Sequence, residues 1–252
     1  MVAGVRPAGR VVAIVQARMG SSRLPGKVLA DVAGGTMLAR VVGRLHATRT
    51  LDDVVVATTM APSDDPVVRE AKRVGAAVFR GSETDVLARY WGAAAANRAD
   101  VIVRVTADCP LIDPEVVDRV VMALGTGADY ASNTHTRSYP RGLDVEALHA
   151  DVLARIQRLA RSAHAREHVT ALVMERPSWF AVRQVRADTD DSDLRWTVDT
   201  DADLELVRAL YARCGLAAGP RPYLELVDAV RADPELAAIN AHIAQKSWQH
   251  VG

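Results

Sequence analysis

Small and cationic residues follow the first apolar run of the chain. The run 11–15 is succeeded by the segment 16–27, QARMGSSRLPGK, whose cations are Arg18, Arg23 and Lys27. Glycine and serine let backbone N–H groups approach phosphate oxygens, and the cations can neutralise the phosphate charge. The segment therefore indicates a polyphosphate site, with a basic surface loop as the alternative. Because its spacing matches neither GxxxxGK[ST] nor GxGxxG, neither a P-loop kinase nor a dinucleotide oxidoreductase is favoured.

Two aspartates come directly after later apolar runs. Asp108 lies just past the run 101–105, and Asp199 follows the run 195–198. Ligands of open α/β sheets bind beyond the carboxyl ends of the strands, and carboxylates suit Mg²⁺. We expect both aspartates to bind one Mg²⁺ ion; the alternatives are a turn residue at 108 and a helix cap at 199. Cys109 has no evident histidine partner and is expected to be inert.

The predicted elements alternate in a way that would bring these residues together. Strands at 11–15, 54–58, 78–80 and 101–105 alternate with helices that begin near Thr36, Asp65, Ser82 and Asp113. This order predicts a mostly parallel sheet with helices on both faces.

The pattern changes after residue 128. Strands are predicted at 129–132, 143–146, 180–185 and 195–198, and helices at 150–162, 164–175, 201–213 and, as two segments, within 222–246. We predict a loose leader over 1–10 and one domain over 11–252, in which about 130–190 forms an inserted subregion.

Composition excludes several classes of protein. The chain has 252 residues, 49% of them hydrophobic, and a formal net charge of zero with 4% aromatic residues. A strongly basic nucleic-acid binder would differ in both charge and aromatic content. The two cysteines show neither metal-ligand spacing nor a disulfide framework, which fits a cytoplasmic protein. The N-terminal apolar run is too short for a signal peptide or a membrane span.

Seven blocks of the sequence together resemble the cytidylyltransferase family. The similarity is greatest to its SpsF-like branch, which is related to the CMP-Kdo and CMP-sialic acid synthetases. The blocks are 16–27, 56–59, 79–83, 106–113, 139–146, 166–170 and 195–200.

This resemblance implies a fold and a reaction. The fold would be a three-layer, Rossmann-like α/β nucleotidyltransferase of the glycosyltransferase-A type, with an inserted acceptor and dimerisation subregion. The reaction would be Mg²⁺-dependent transfer of CMP from CTP to an acidic acceptor, an acidic sugar or a phosphonate or phosphate compound, with release of pyrophosphate. A cytoplasmic homodimer without nucleic-acid or membrane partners is also implied.

The resemblance also implies roles for individual residues. Arg18, Lys27 and Asp108 would be catalytic, and Asp108 and Asp199 would hold Mg²⁺. The nucleotide would contact Gln16, Ala17, Arg18, Met19, Gly20, Ser21, Lys27, Thr58, Arg80, Gly81, Ser82, Asp85, Thr106 and Asp108. The acceptor would contact Arg141, Asp144, Glu146 and His168.

Two other functions remain open from the sequence. A glycosyltransferase that consumes a nucleotide sugar would usually have an Asp-x-Asp motif after a strand, whereas Asp108 is followed by Cys109 and Pro110. A non-catalytic nucleotide-binding protein would not need both Asp108 and Asp199 beside the cationic loop.

Overall fold

The structure is a computed structural model that describes residues 6–244. Its strands are β1 (Val11–Gln16), β2 (Asp31–Val32), β3 (Gly35–Thr36), β4 (Asp53–Thr59), β5 (Ala77–Gly81), β6 (Val101–Thr106), β7 (Tyr130–Ser132), β8 (Glu146–His149) and β9 (Val182–Gln184). Its helices are α1 (Met37–His46), α2 (Asp65–Arg73), α3 (Val86–Ala96), α4 (Pro114–Leu124), α5 (Ala150–Leu159), α6 (Ala163–Glu167), α7 (Ala171–Glu175), α8 (Asp201–Arg213), α9 (Tyr223–Arg231) and α10 (Pro234–Ala238).

Seven of the strands form one mixed sheet. Their order is β5-β4-β1-β6-β8-β7-β9, and β2 pairs with β3 in a separate small hairpin. The pairs β5-β4, β4-β1, β1-β6 and β7-β9 are parallel, whereas β8 is antiparallel to both β6 and β7. The prediction of a mostly parallel sheet is therefore confirmed, and the antiparallel strand β8 lies within the predicted subregion at about 130–190.

The first strand explains why the sheet is covered on both faces. Val11, Ala13 and Val15 belong to one hydrophobic core, and Val12 and Ile14 belong to the other. Successive side chains of a strand point to opposite faces, so an unbroken apolar run requires a helical layer on each side. One layer includes α1, α2, α4, α8 and α9, and the other includes α3, α5, α6 and α7. The three-layer α/β architecture is the one predicted.

Several element boundaries differ from the sequence prediction. The strand predicted at 143–146 lies at β8, and residues 195–198 form only an isolated bridge, between Arg141 and Arg195. The helix predicted at 164–175 is divided into α6 and α7, because Val169 between them has a φ of 51°. Helix α3 begins at Val86, since Asp85 rather than Ser82 caps it. Such boundaries depend on tertiary contacts more than on local propensity.

The N-terminal segment is held against the body of the protein over its described part. Arg6 pairs with Asp52 at 2.5 Å and donates to the carbonyl of Thr50 at 3.1 Å, and Arg10 pairs with Asp53 at 2.7 Å. Residues 6–10 are therefore not loose, whereas 1–5 of the predicted leader lie outside the described residues. Residues 245 and 246, the end of the last predicted helical segment, also lie outside them.

Within residues 6–244, no helix is both long enough and apolar enough to cross a membrane.

Candidate active site

The loop after β1 is folded back on itself by backbone hydrogen bonds. The amide of Gly26 donates to the carbonyl of Met19 at 2.9 Å, and the amide of Met19 donates to Oδ1 of Asp64 at 2.7 Å. Asp64 is buried, and it also accepts the hydroxyl of Thr59. Gly26 has a φ of 72°, a left-handed conformation that glycine adopts without strain. The loop therefore returns to the sheet edge, and Lys27 starts a short 3-10 helix there.

Register and one long-range contact bring the two aspartates to the same edge. Gln16 of β1 pairs with Thr106 of β6, so the loops that follow both strands leave the sheet side by side. The amide of Val198 donates to the carbonyl of Asp108 at 2.8 Å, which fixes the segment 195–199 beside the turn after β6.

Lys27 lies between the two aspartates. Its Nζ is 3.0 Å from Oδ2 of Asp108 and 2.9 Å from Oδ1 of Asp199. It also donates to the carbonyl of Val198 at 2.6 Å. Burial by itself lowers the pKa of Lys27, but the two carboxylates outweigh it and hold the pKa above its ordinary value. The ammonium is therefore charged and is shared by both carboxylates.

Two arginines complete the surroundings of Asp199. Oδ2 of Asp199 is 2.9 Å from both Arg23 and Arg195. Arg195 also pairs with Asp203 at 2.9 Å, and Asp203 forms a capping box with Thr200 at the start of α8. Burial tends to raise the pKa of Asp199, yet Lys27 and the arginines bring it below the ordinary value. Asp199 is therefore ionised in the folded protein.

A cavity of about 350 Å³ opens over this cluster. It is lined by Gln16, Ala17, Arg18, Gly20, Ser21, Ser22, Arg23, Lys27, Val28, Thr106, Ala107, Asp108 and Asp199. Oε1 of Gln16 is buried and has no hydrogen-bond partner among residues 6–244. Arg18 is exposed. The pKa of the neighbouring Arg89 is lowered mainly by the burial of Arg89 and further by the charge of Arg18. The cavity thus combines an exposed guanidinium, an unpaired amide oxygen and backbone of a small-residue loop.

The two carboxylates fit a hard divalent cation. Both already contact one cationic nitrogen within 3.0 Å, so they are placed to share a positive ion. In the described part of the chain, no group of three or more His, Cys, Asp or Glu residues could hold a metal by itself. Mg²⁺ is commonly held by one or two carboxylates together with water and substrate phosphates. The donor set of Asp108 and Asp199 is of this kind.

Arg80, expected at the nucleotide, is engaged in holding a loop. Its guanidinium donates to the carbonyls of Thr59 and Ala61, both at 2.8 Å, and pairs with Asp65 at 2.7 Å. These contacts use all three of its nitrogens. The side chain of Arg80 therefore shapes the segment 59–65, and it lies outside the lining of the cavity.

Ser82 and Asp85, also expected at the nucleotide, organise the start of α3. Ser82 Oγ accepts from the amide of Asp85 at 3.0 Å, and Asp85 Oδ1 accepts from the amide of Ala88 at 2.8 Å. The second oxygen of Asp85 pairs with Arg166 of α6. Both side chains are thus occupied by capping and by the contact between two helices.

Three other residues expected at the nucleotide also lie outside the cavity lining. These are Met19, Thr58 and Gly81. Thr58 is completely buried, and its Oγ1 has no hydrogen-bond partner in the described part of the chain.

Glu146, expected to face an acceptor, is instead buried inside the sheet. Its carboxylate pairs with Arg104 and accepts hydroxyls from Tyr130 at 2.5 Å and Thr170 at 2.7 Å. Burial raises the pKa of Glu146, but Arg104 and these hydroxyls outweigh burial and lower it below its ordinary value. Because both of its oxygens already have partners within the protein, Glu146 supports the fold at this position.

Arg141 and Asp144 remain close to the cluster around Asp199. Asp144 pairs with both terminal nitrogens of Arg137, at 2.7 and 2.9 Å. Burial and the charge of Arg137 lower the pKa of the half-buried Arg141. The backbone of Arg141 bridges to Arg195, which places this polar group next to the residues that pair with Asp199.

His168 comes directly after α6, in the helical layer opposite to that of α8. Its Nε2 is buried and has no hydrogen-bond partner within residues 6–244. Burial, and then the neighbouring His164, lower the pKa of His168, so its imidazole is neutral at pH 7.

Sequence comparison assigns the chain to a family. It matches the family described as "Cytidylyltransferase" over residues 12–218. The chain belongs to the cytidylyltransferase family. It is 34% identical to the spore coat polysaccharide biosynthesis protein SpsF of Bacillus subtilis, over 89% of this chain and 95% of that protein. The predicted family and SpsF-like branch are confirmed, as is the prediction of a nucleotidyltransferase.

Solved structures agree with this assignment. A cytidylyltransferase from Leptospira borgpetersenii serovar Hardjo-bovis superposes with a TM-score of 0.85 at 32% identity, over 94% of this chain and 99% of that one. CMP:2-keto-3-deoxy-manno-octonic acid synthetase, solved in complex with CTP, has a TM-score of 0.64 at 24% identity, over 81% of this chain and 99% of that one. The predicted nucleotidyltransferase fold is thus confirmed.

Three residues of the site cluster were not assigned a role from the sequence. The sequence marks Arg23 only as a cation of the loop, and it gives Arg195 and Asp203 no role. Arg195, Asp199 and Asp203 are spaced four residues apart, and this spacing was an available signal. It was not decisive, because four-residue spacing ordinarily indicates a helix face, whereas here only Asp203 lies in a helix.

Proposed function

We propose that this cytidylyltransferase transfers CMP from CTP to an acidic small molecule in an Mg²⁺-dependent reaction that releases pyrophosphate. The observation that carries the proposal is the convergence of Lys27, Asp108 and Asp199 on one side of the cavity. A cationic loop and two carboxylates from separate parts of the chain suit a metal–triphosphate complex. A site for a neutral metabolite would not need both the cationic loop and the two carboxylates.

The loop 17–27 would bind the phosphates. Its backbone lines the cavity together with Arg18 and Arg23, which present planar guanidinium groups suited to phosphate oxygens. Asp108 and Asp199 would hold Mg²⁺, which when bound neutralises phosphate charge and polarises the phosphoryl group. Gln16 lines the same cavity, and its Oε1, which has no hydrogen-bond partner within residues 6–244, can accept from the edge of a base or from a ribose hydroxyl.

The protein itself performs little covalent chemistry in this step. An acceptor oxygen attacks the α-phosphorus in line, the bond from that phosphorus to the bridging oxygen breaks, and pyrophosphate leaves with the electron pair. The chain's contribution is to align the two reactants and to stabilise the charge that grows on the leaving group. Arg18, Arg23 and Lys27 are the groups within reach of that charge, so their contacts strengthen as the transition state forms.

The acceptor would approach from the side of Arg141. This guanidinium is half-buried and lies near Arg137 and Asp144, beside the segment that contains Asp199. A cationic side chain beside the segment that holds Asp199 favours an acceptor with a carboxylate, phosphonate or phosphate. His168 would complete the acceptor side with a neutral imidazole.

A pyrophosphate-release screen tests the proposal. The four nucleoside triphosphates are crossed with acidic sugars and with phosphonate or phosphate compounds, each with Mg²⁺ and with EDTA. We expect pyrophosphate only with CTP, an acid and the metal, and a product that contains CMP. A glycosyltransferase would instead consume a nucleotide sugar without releasing pyrophosphate. CTP binding without turnover on any acid would contradict the proposal and indicate a non-catalytic nucleotide-binding protein.

A further inference from the structure

The position of Lys27 has a consequence for the order in which ligands bind. Its ammonium lies between Oδ2 of Asp108 and Oδ1 of Asp199, within 3.0 Å of both, where the two carboxylates can share a cation. The side chain is buried, and its third polar contact is the carbonyl of Val198. A divalent ion held by both carboxylates would therefore have to take the place of this ammonium.

Charge in the cluster is already balanced. The cations Lys27, Arg23 and Arg195 face the carboxylates Asp108, Asp199 and Asp203, three against three. A divalent ion that entered alone would add two positive charges beside three cations that already balance the carboxylates. The buried ammonium would also lose its hydrogen-bond acceptors, which is costly for a desolvated charge.

We propose that Lys27 occupies the divalent-cation position of the nucleotide-free enzyme, and that the triphosphate draws this ammonium away, so that the metal is taken up with the nucleotide and not before it. The inference rests on the proposed function, because it requires a triphosphate in the cavity. It assigns Lys27 two successive partners: the carboxylates first, and the phosphate oxygens once the nucleotide is bound.

The side chains around Asp199 differ in their freedom to move. Lysine carries a compact charge on a flexible four-carbon stem, so Lys27 can turn from the carboxylates to phosphate oxygens in the same cavity. Arg195 is held by Asp203 as well as by Asp199, and its side chain is almost completely buried. Lys27 is therefore the cation that can be exchanged, whereas Arg195 stays to orient Asp199.

Direct measurement of Mn²⁺ binding tests this displacement. Mn²⁺ is titrated into the wild-type protein without nucleotide, and bound ion is measured by electron paramagnetic resonance. We compare Lys27→Met, which keeps an unbranched side chain one atom shorter than lysine and removes the charge. If the ammonium blocks the site, Lys27→Met should bind Mn²⁺ about tenfold or more tightly than wild type, because one buried competing charge is gone.

Arg23→Met is the matched control. It removes one positive charge that touches the same carboxylate, through Oδ2 at 2.9 Å, but it leaves the ammonium between the two aspartates. A gain limited to Lys27→Met supports displacement. An equal gain in both variants would overturn the proposal, since it would mean that only the net charge of the cluster matters. Adding Asp108→Asn to Lys27→Met should abolish the gain if the ion binds at this site.

A second measurement uses the wild-type protein alone and so does not depend on a variant that folds. Protein-bound Mn²⁺ is separated by rapid ultrafiltration, with and without CTP and with no acceptor present. We expect uptake of about one ion with CTP and little without it at the same free Mn²⁺ concentration. Equal uptake in both conditions would overturn the proposal. Neither titration requires turnover, so a failure here is distinct from an absence of pyrophosphate release in the acceptor screen.

Discussion

At the scale of single residues, the two aspartates of the site have unequal surroundings. Asp199 contacts Lys27, Arg23 and Arg195, whereas Asp108 contacts Lys27 and the hydroxyl of Thr106. Asp199 is therefore held in place by the protein itself. Asp108 has fewer cationic neighbours and can more readily exchange its partner for an incoming ion.

We predict that Asp108→Asn reduces turnover by about 10²-fold or more, because an amide cannot replace a carboxylate in holding a divalent ion. The unfolding midpoint should change little, since Lys27 keeps Asp199 as a partner. The measurement is the initial rate of pyrophosphate release, with circular dichroism to check the fold. Asp201→Asn is the control, because Asp201 is an exposed aspartate in the first turn of α8. A folded Asp108→Asn variant with the wild-type rate would contradict the metal role.

The buried carboxylate of Glu146 should make the stability of the fold depend on pH. Its pKa is lower in the folded protein than its ordinary value of 4.5, so its contribution to stability is fully present above that pH. The contribution is lost as the pH falls through the folded pKa. Glu146→Gln should cost up to about 3 kcal/mol at pH 7, because it removes the carboxylate that pairs with the largely buried guanidinium of Arg104.

Urea unfolding of wild type and Glu146→Gln at pH 7 and near pH 3 measures this effect. The difference in unfolding free energy should narrow at the lower pH, because below pH 4.5 the unfolded chain binds a proton at Glu146 more readily than the folded protein does. A difference that stays constant across this range would show that ionisation of Glu146 does not stabilise the fold.

At the scale of elements, the site depends on a segment that is not regular secondary structure. Residues 195–199 are fixed by a bridge between Arg141 and Arg195 and by the bond from Val198 to Asp108. Gly142 makes the first of these contacts possible. It has a φ of 105°, and a Cβ placed there would lie 2.6 Å from the amide nitrogen of Thr197.

We predict that Gly142→Ala lowers both stability and turnover. The added methyl must push the backbone of 196–197 away and strain position 142, at a cost of about 1–3 kcal/mol. Because Asp199 lies two residues beyond Thr197, turnover should fall further than the loss of folded protein explains. Thermal unfolding and pyrophosphate release measure the two effects.

Gly127→Ala separates conformational strain from steric displacement. Gly127 also has a positive φ, 92°, but a Cβ there would meet no described atom within 4 Å. It should lose some stability and keep the wild-type rate per folded molecule. If Gly142→Ala behaves in the same way, the close approach to 196–197 does not position Asp199.

At the scale of the whole molecule, the two helical layers leave different apolar side chains exposed. Leu159 and Trp179, with 44% and 53% of their area exposed, lie in the predicted subregion at about 130–190. Leu224, 49% exposed, lies on α9 in the opposite layer. The expected homodimer would bury the first pair, because dimer interfaces are enriched in aromatic and large aliphatic residues.

We predict that the wild-type protein sediments as a dimer at micromolar concentration and that Trp179→Glu shifts it to monomer, because a charge would be desolvated in the interface. Leu224→Glu places the same charge on the other layer and should leave the dimer intact. Analytical ultracentrifugation distinguishes the species. A monomeric wild type, or equal dissociation by both substitutions, would contradict a dimer through the subregion.

The sequence by itself determined the layers of the fold and the chemistry of the loop. The continuous apolar run 11–15 could only be a strand covered on both faces, and helix signals such as Asp113-Pro114 are local. The sequence also predicts the cations of the loop and the two aspartates that follow apolar runs. The reason is the same, because side-chain type and distance from a strand end do not depend on the rest of the fold.

Only the tertiary structure decided which polar side chains are free for a ligand. Arg80 and Glu146 look as suitable in sequence as Arg18 and Asp108, but their charges are used by the segment 59–65 and by Arg104. The cation shared by Asp108 and Asp199 also comes from far along the chain, because Lys27 meets them only when three loops converge at the sheet edge. Pairing between charges depends on distance in space, and sequence separation does not report it.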